Sequence, residues 1–317
     1  MASVSDWKVP SSAWPKPGDY AFDLDAALSA VVGVRAVIPP DAFTADTLGT
    51  ERAGNGVLIG ADGLVLTIGY LVTEADTIWL TLIDGRKVPG TVLAYDQTTG
   101  FGLIQALARL NLPALQIGDS KTVGVGDKVV VGGAGGRERS VAARIVAKQE
   151  FAGYWEYVVD EAIFTSPSHP NWGGTALIGP KGDLVGIGSL QLQEGREHGP
   201  PGDLNMIVPI DLLKPILHDL QTIGRPNQPP RPWLGLYATE IEDKVVVGGA
   251  GGRERSVAAR IVAKQEFAGY WEYVVDEAIF TSPSHPNWGG TALIGPKGDL
   301  VGIGLSLIHI SEPTRPY

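Results

Sequence analysis

Short apolar runs rich in Val, Ile and Leu, broken every few residues by Gly- or Asp-containing turns, run along most of the chain. This pattern predicts strands rather than long helices. A helical turn in FDLDAALSA leads into the strand VVGVRAV. GNGVLIG and LVLTIGYLV flank a turn at Asp62 and Gly63, and TIWLTLI and RKVPGTVLAYD flank another at Asp84 and Gly85; FGLIQAL follows. Six strand candidates within a hundred residues predict a barrel. Beyond a loop, KVVVGGAGG, SVAARIVAKQEF, YWEYVVDEAIF, TALIGP and DLVGIGSLQLQ predict a second strand group. LNMIVPIDLLKPILHDLQTIGR ends the body in a helix, with Leu212, Leu213, Ile216, Leu217 and Leu220 on one face and Asp211 placed to cap it. The expected architecture is all-β: barrel, barrel, closing helix.

Composition narrows the partners. The 317 residues carry a net charge of −10 and no basic cluster, which argues against nucleic acid or an anionic membrane as a partner. With 42 Gly and 23 Pro, the chain suits tight turns; with no Cys, it has neither disulfides nor a thiolate nucleophile. The first twenty residues read as an extended arm, with Trp7, Trp14 and Tyr20 available to pack on the body or on a neighbouring subunit. They show no secretory pattern, so the chain as written reads as cytoplasmic, and as periplasmic if the true start lies upstream.

Residues 127–188 recur without a difference as residues 243–304. Genuine structural repeats stack self-contained units and drift at surface positions, whereas this block begins within a strand group and carries only part of it. It reads as a misassembly. Residues 305–317, LSLIHISEPTRPY, resemble the translated read-through of a sequencing adapter, and residues 226–242 read as a Pro-rich linker. The expected organisation is an arm over 1–21, a body over 22–225, the linker, the copied block and the tail.

Three motifs within residues 22–236 resemble trypsin-like serine proteases of the HtrA/Deg family. VLTIGYLVTEAD (65–76) follows the pattern ILTNYHVVEGAD, with Tyr70 at the histidine position. YDQTTGFGLIQ (95–105) follows TDPETDLALLK, with Gly100 at the aspartate position. HPNWGGTAL (169–177) follows NPGNSGGPL, with Gly173 at the serine position. The resemblance implies a chymotrypsin/trypsin-like double β-barrel with all three members of the triad replaced. It further implies a following peptide-binding PDZ domain, begun by PWLGLY and not continued, and it allows a homotrimer built through the aromatic arm.

Proteolysis of this type needs a hydroxyl, a base that titrates near neutrality and a carboxylate to orient the base. Tyrosine titrates near pH 10, and glycine supplies nothing. Ser166, Ser168 and Thr175 flank the lost serine as possible substitute nucleophiles, but Ser168 and the adjacent His169 should point to opposite faces and not pair. The backbone of Asn171, Trp172, Gly173 and Gly174 occupies the oxyanion-hole turn and could still hold a carbonyl or carboxylate; alternatively, the glycines only keep the turn and Trp172 fills the empty specificity pocket. GGAGGRER (132–139) lacks the third glycine of a dinucleotide fingerprint. His198 and His218 lack metal-ligand spacing, so no cofactor and no metal is expected. The favoured reading is a catalytically degenerate homologue that binds peptide or protein segments or acts as a scaffold. The alternative is an active endopeptidase with a non-standard nucleophile.

Overall fold

The Asp23 carboxylate accepts the Ala26 N–H at 3.0 Å and so caps α1 (Leu24–Ser29), which delivers the chain into β1 (Val31–Val37). A short α2 (Ala45–Leu48) precedes β2 (Glu51–Leu58), β3 (Leu64–Ile68), β4 (Thr77–Thr81), β5 (Lys87–Tyr95) and β6 (Phe101–Ala106). These six strands close antiparallel in the order β1-β2-β3-β6-β5-β4. The turns fall where the sequence places them: Gly63 and Gly85 adopt φ of 91° and 83°, and the Asp84 carboxylate accepts the Arg86 N–H at 3.0 Å. The computed structural model describes residues 7–152, 158–194 and 202–228, together with strands between residues 237 and 303.

A second closed antiparallel barrel contains β7 (Lys128–Gly132), β8 (Val141–Ala152), β9 (Val158–Ser166), β10 (Ala176–Ile178), β11 (Leu184–Glu194) and β12 (Gly202–Pro209), in the order β10-β11-β12-β9-β8-β7. Parts of several of its strands are apolar on both faces. Val129, Val131, Ile163, Leu177, Val185 and Ile207 belong to one core, whereas Val130, Phe164, Ile178, Leu184, Met206 and Val208 belong to the other, which includes the first barrel's interior. Neighbouring residues on a strand thus bury opposite faces in different cores. This explains why β12 escapes the sequence reading as a strand: its unbroken Met206, Ile207 and Val208 lack the alternation that marks a half-buried strand.

The closing helix forms, but it is interrupted. A 3₁₀ turn spans Ile210–Leu212, and α3 starts only at Leu217, running to Ile223. Pro215 between them has no N–H to donate and its ring opposes a continuous helix. Leu213, Ile216 and Leu220 are buried as expected, whereas Leu212 faces solvent and Asp211 does not cap α3, whose N-cap is Ile216. Instead the Asp211 carboxylate accepts the Ser120 N–H at 2.9 Å and pairs with Lys214. Burial opposes its charge, but these partners prevail and hold its pKa well below the usual carboxylate range.

The arm packs on its own subunit. Val9 is buried in the second-barrel core with Trp7, Ala13 and Trp14 against it, and the Trp14 indole donates to the Val9 carbonyl at 3.0 Å. Tyr20 instead stacks against Phe22. Among the described residues, no helix is long and apolar enough to cross a membrane.

Residues 229–317 form a separate unit. It contains β13 (Tyr237–Ile241), β14 (Lys244–Gly248) and β15 (Ser256–Ala258) in one sheet, β16 (Arg260–Ala268) with β17 (Val274–Ser282), and β18 (Ala292–Ile294) with β19 (Leu300–Ile303). The copied block re-forms local pairings: Arg260 faces Ser282 as Arg144 faces Ser166. Its described strands do not close into a barrel. In the first copy β12 bridges β11 and β9, and residues 202–209 lie outside the duplicated segment.

Candidate functional site

Tyr70, Gly100 and Gly173, which the resemblance aligns with the triad, are distant in sequence and meet where the barrels join. The Gly69 N–H donates to the Gly100 carbonyl at 2.7 Å, which sets residue 100 beside the 3₁₀ turn Gly69–Leu71 that carries Tyr70. A Cβ built on Gly173 would lie 2.7 Å from the Tyr70 hydroxyl oxygen, nearer than real Cβ contacts allow. The Tyr70 hydroxyl therefore occupies the space that a serine side chain at position 173 would need. It also donates to the Ser189 carbonyl on β11 at 2.7 Å. The aspartate position is remodelled as well: Asp96 accepts the Thr99 N–H at 3.0 Å and the Thr99 hydroxyl at 2.7 Å, closing residues 96–100 on themselves.

Two residues missed by the sequence reading hold this arrangement. Asn55 on β2 is fully buried, and its Nδ2 donates to the carbonyls of Asn171 at 2.8 Å and Gly173 at 3.1 Å. Its Oδ1 accepts the Ala134 N–H at 2.9 Å, and its backbone N–H donates to Gly173 O at 2.8 Å. Arg52, buried on the same strand, donates to the carbonyls of Tyr70 at 2.8 Å and Thr73 at 3.0 Å, fixing the turn that presents Tyr70. The sequence signal for both is slight: β2 reads ERAGNGVL, whose first six residues are too polar and glycine-rich to mark buried side chains.

The oxyanion turn is partly spent. The Asn171 N–H donates to His169 Nδ1 at 3.1 Å, and the Gly174 N–H donates to Gly188 O at 2.8 Å. No backbone partner is found for the N–H groups of Trp172 and Gly173 among the described residues. Gly174 has φ of 74°, and a Cβ there would lie 1.9 Å from the Asn55 carbonyl oxygen, so only glycine fits.

The candidate substitute nucleophiles fare differently. Thr175 is buried and its hydroxyl donates to Trp172 O at 2.9 Å. Ser166 ends β9 opposite Arg144, and Ser168 is half-buried. His169 cannot serve Ser168 as a base, because both ring nitrogens are engaged: Nε2 lies 2.8 Å from the Arg139 carbonyl, and Nδ1 accepts Asn171 N–H. A carbonyl can only accept, so Nε2 carries the proton and Nδ1 the lone pair. GGAGGRER turns between the antiparallel β7 and β8, with the Ser140 hydroxyl donating to Gly136 O at 2.8 Å, and does not lead from a strand into a helix.

Burial pushes the His169 pKa down to about 4. The unfolded chain, with an ordinary histidine pKa near 6.5, binds this proton first, so stability is full above about pH 6.5 and falls as pH drops toward 4. The expected loss by pH 4 is about 3 kcal/mol from this group alone. Urea midpoints of the protein and its His169→Asn variant, compared from pH 7 to 4, isolate this contribution. Equal pH slopes in the two proteins would refute it.

Residues 54–187 match the model of the trypsin-like peptidase domain. The chain is 32% identical over 197 residues to a probable periplasmic serine endoprotease DegP-like of Pseudomonas putida, a match spanning 60% of this chain and 39% of that protein. It is 26% identical over 230 residues to serine endoprotease DegS of Salmonella typhimurium, covering 71% of this chain and 63% of that one. Among solved structures, HtrA-type protease AlgW with a tripeptide superposes with a TM-score of 0.52 at 21% identity, over 71% of this chain and 74% of that chain. The chain thus spans about two fifths of the length of the DegP-like relative.

Proposed function

We propose that this chain, a member of the HtrA-type trypsin-like serine protease family, is catalytically degenerate and binds peptide segments at the junction of its barrels without cleaving them. One observation carries the reading: the Tyr70 hydroxyl fills the space over Gly173 that a serine nucleophile would need. Tyr70 at the base position, Gly100 at the orienting position and Gly173 at the nucleophile position supply none of the proton transfers of acyl chemistry. The turn at residues 171–174, tied to β11 by the Gly174 N–H donating to Gly188 O at 2.8 Å, supports a place for a bound peptide backbone. The structural neighbour AlgW, solved with a tripeptide and with a decapeptide, supports peptides as the ligand class.

The periplasmic description of the DegP-like relatives supports the same location for this protein. Packing of Trp7 and Trp14 on the protein's own second barrel supports self-packing of the arm over a trimer contact made through these residues.

The test pairs chemistry with binding. With an intact DegP-like protease as control, the full chain is expected to leave casein uncut and to resist a fluorophosphonate. It is expected to bind members of a fluorescent peptide library saturably. Cleavage, or a covalent label on any residue at the junction, would overturn the degenerate reading; absence of saturable binding would overturn the peptide role.

A further inference from the structure

Outside the triad positions, the most completely built side-chain cluster joins the amino-terminal arm to the oxyanion turn. The Trp7 ring lies against the His169 imidazole, with centroids 5.1 Å apart and planes tilted by 57°. The Arg139 guanidinium lies over the Trp7 ring, 4.5 Å from its centroid, and donates to the Trp7 carbonyl. The Arg139 carbonyl accepts His169 Nε2–H at 2.8 Å, and His169 Nδ1 accepts the Asn171 N–H at 3.1 Å. Asn205 completes the cage: its Oδ1 accepts the His169 N–H at 2.5 Å and its Nδ2 donates to His169 O at 3.3 Å. His169 is fully buried, and Gly133 leaves no space beside the ring, since a Cβ there would lie 2.6 Å from Nε2.

This cluster is more than packing because of where it ends. Asn171 N–H is a backbone donor of the oxyanion turn, and in the seated state it points at an imidazole lone pair instead of at the junction. Its acceptor is held in one tautomer by Arg139 O, and the ring is held in place by a residue of the arm. Arg139 is the charged residue in contact with the cluster, whereas Trp7, Gly133, Asn171 and Asn205 are neutral.

We propose that Trp7, Arg139 and His169 form an autoinhibitory strap: with the arm seated, the Asn171 N–H is withheld from ligands, and with the arm lifted it turns outward to bind a peptide carbonyl or carboxylate. The strap rests on the peptide-binding reading for its ligand, but not for its existence. His169 is here a positioning residue. Lifting the arm hydrates the imidazole and frees its ring, so the backbone donor loses its fixed acceptor.

The test uses the full chain and two variants, Trp7→Ala and Trp7→Phe, the latter keeping an aromatic face. NMR follows the His169 ring titration and solvent exchange of the Asn171 amide, and fluorescence follows affinity for a peptide bound by the parent protein. In Trp7→Ala the His169 titration is expected to rise by about one pH unit or more as desolvation is relieved. Asn171 exchange is expected to quicken at least ~10-fold as its closed state is lost, and peptide affinity to tighten at least ~3-fold as the competing acceptor is removed. Trp7→Phe is expected to stay near the parent on all three. Unchanged titration and exchange in Trp7→Ala would overturn the strap whether or not any peptide binds. Altered NMR with equal affinities in parent and variant would overturn the gating. Altered NMR with no saturable binding by either protein would support the strap and sink the peptide-binding reading instead.

Discussion

Replacing Gly173 with serine alone is expected to leave the protein without proteolytic activity. The new Cβ would lie 2.7 Å from the Tyr70 hydroxyl oxygen, which is itself tied to Ser189 O at 2.7 Å. Either the serine or the tyrosine must move. The overpacking is expected to cost about 1–3 kcal/mol. A serine that does fit still faces a phenol rather than an imidazole, a poor general base at neutral pH, so it stays protonated and unreactive.

Reactivity should appear only when nucleophile and base are restored together. Tyr70→His with Gly173→Ser removes the clash and supplies the pair, and a measurable fluorophosphonate label on Ser at position 173 is the expected result. Adding Gly100→Asp is expected to raise the rate by up to ~10⁴-fold, the usual contribution of an orienting carboxylate. The position tolerates aspartate better than most residues, because its φ of 77° lies in the left-handed region that Asp visits more readily than other side chains. Labelling of the Gly173→Ser protein alone would show that Tyr70 does not block the nucleophile position.

Much of the fold was legible because its turns carry their own chemistry. Asp23 caps α1, and Gly63 and Gly85 take the positive φ their hairpins require, so local sequence and tertiary structure agree there. Legibility failed where burial is two-sided: in β12, Met206, Ile207 and Val208 serve two cores and show no alternation. It failed also at Pro215, where the apolar spacing of a helix continued across a residue that cannot propagate one. The candidate site divides in the same way. The family resemblance pointed to Tyr70, Gly100 and Gly173, and the structure sets the Tyr70 hydroxyl over Gly173 and Gly100 against the turn that carries Tyr70. Nothing in the spacing told of Tyr70 lying over Gly173, since that depends on how two barrels meet. Asn171 stood out as a turn donor, yet its engagement by His169 depends on Arg139, thirty residues earlier, and on the Trp7 arm.

Asn55 is the residue whose loss is expected to cost most stability. It belongs to the first barrel but is spent almost wholly on the second: Asn171 O, Gly173 O and Ala134 N all find their partner in its side chain amide. The side chain is fully buried, so truncation to alanine leaves two backbone carbonyls and one N–H without that partner in a place poorly reached by water. Each orphaned buried group costs about 1–3 kcal/mol, and Gly173 O keeps the Asn55 backbone N–H, which moderates its share. A total loss of about 3–5 kcal/mol is expected, lowering the melting temperature by roughly 10 °C for a body of this size. Asn55→Asp separates packing from hydrogen bonding: it keeps the shape and the acceptor for Ala134 N–H, but sets a carboxylate against two carbonyl oxygens, and it should be at least as damaging as alanine. Asn55→Ser keeps a smaller donor and should fall between parent and alanine. If alanine instead unfolds within about 1 kcal/mol of the parent, the turn at residues 171–174 is held by its own backbone bonds, and Asn55 is not what joins it to the first barrel.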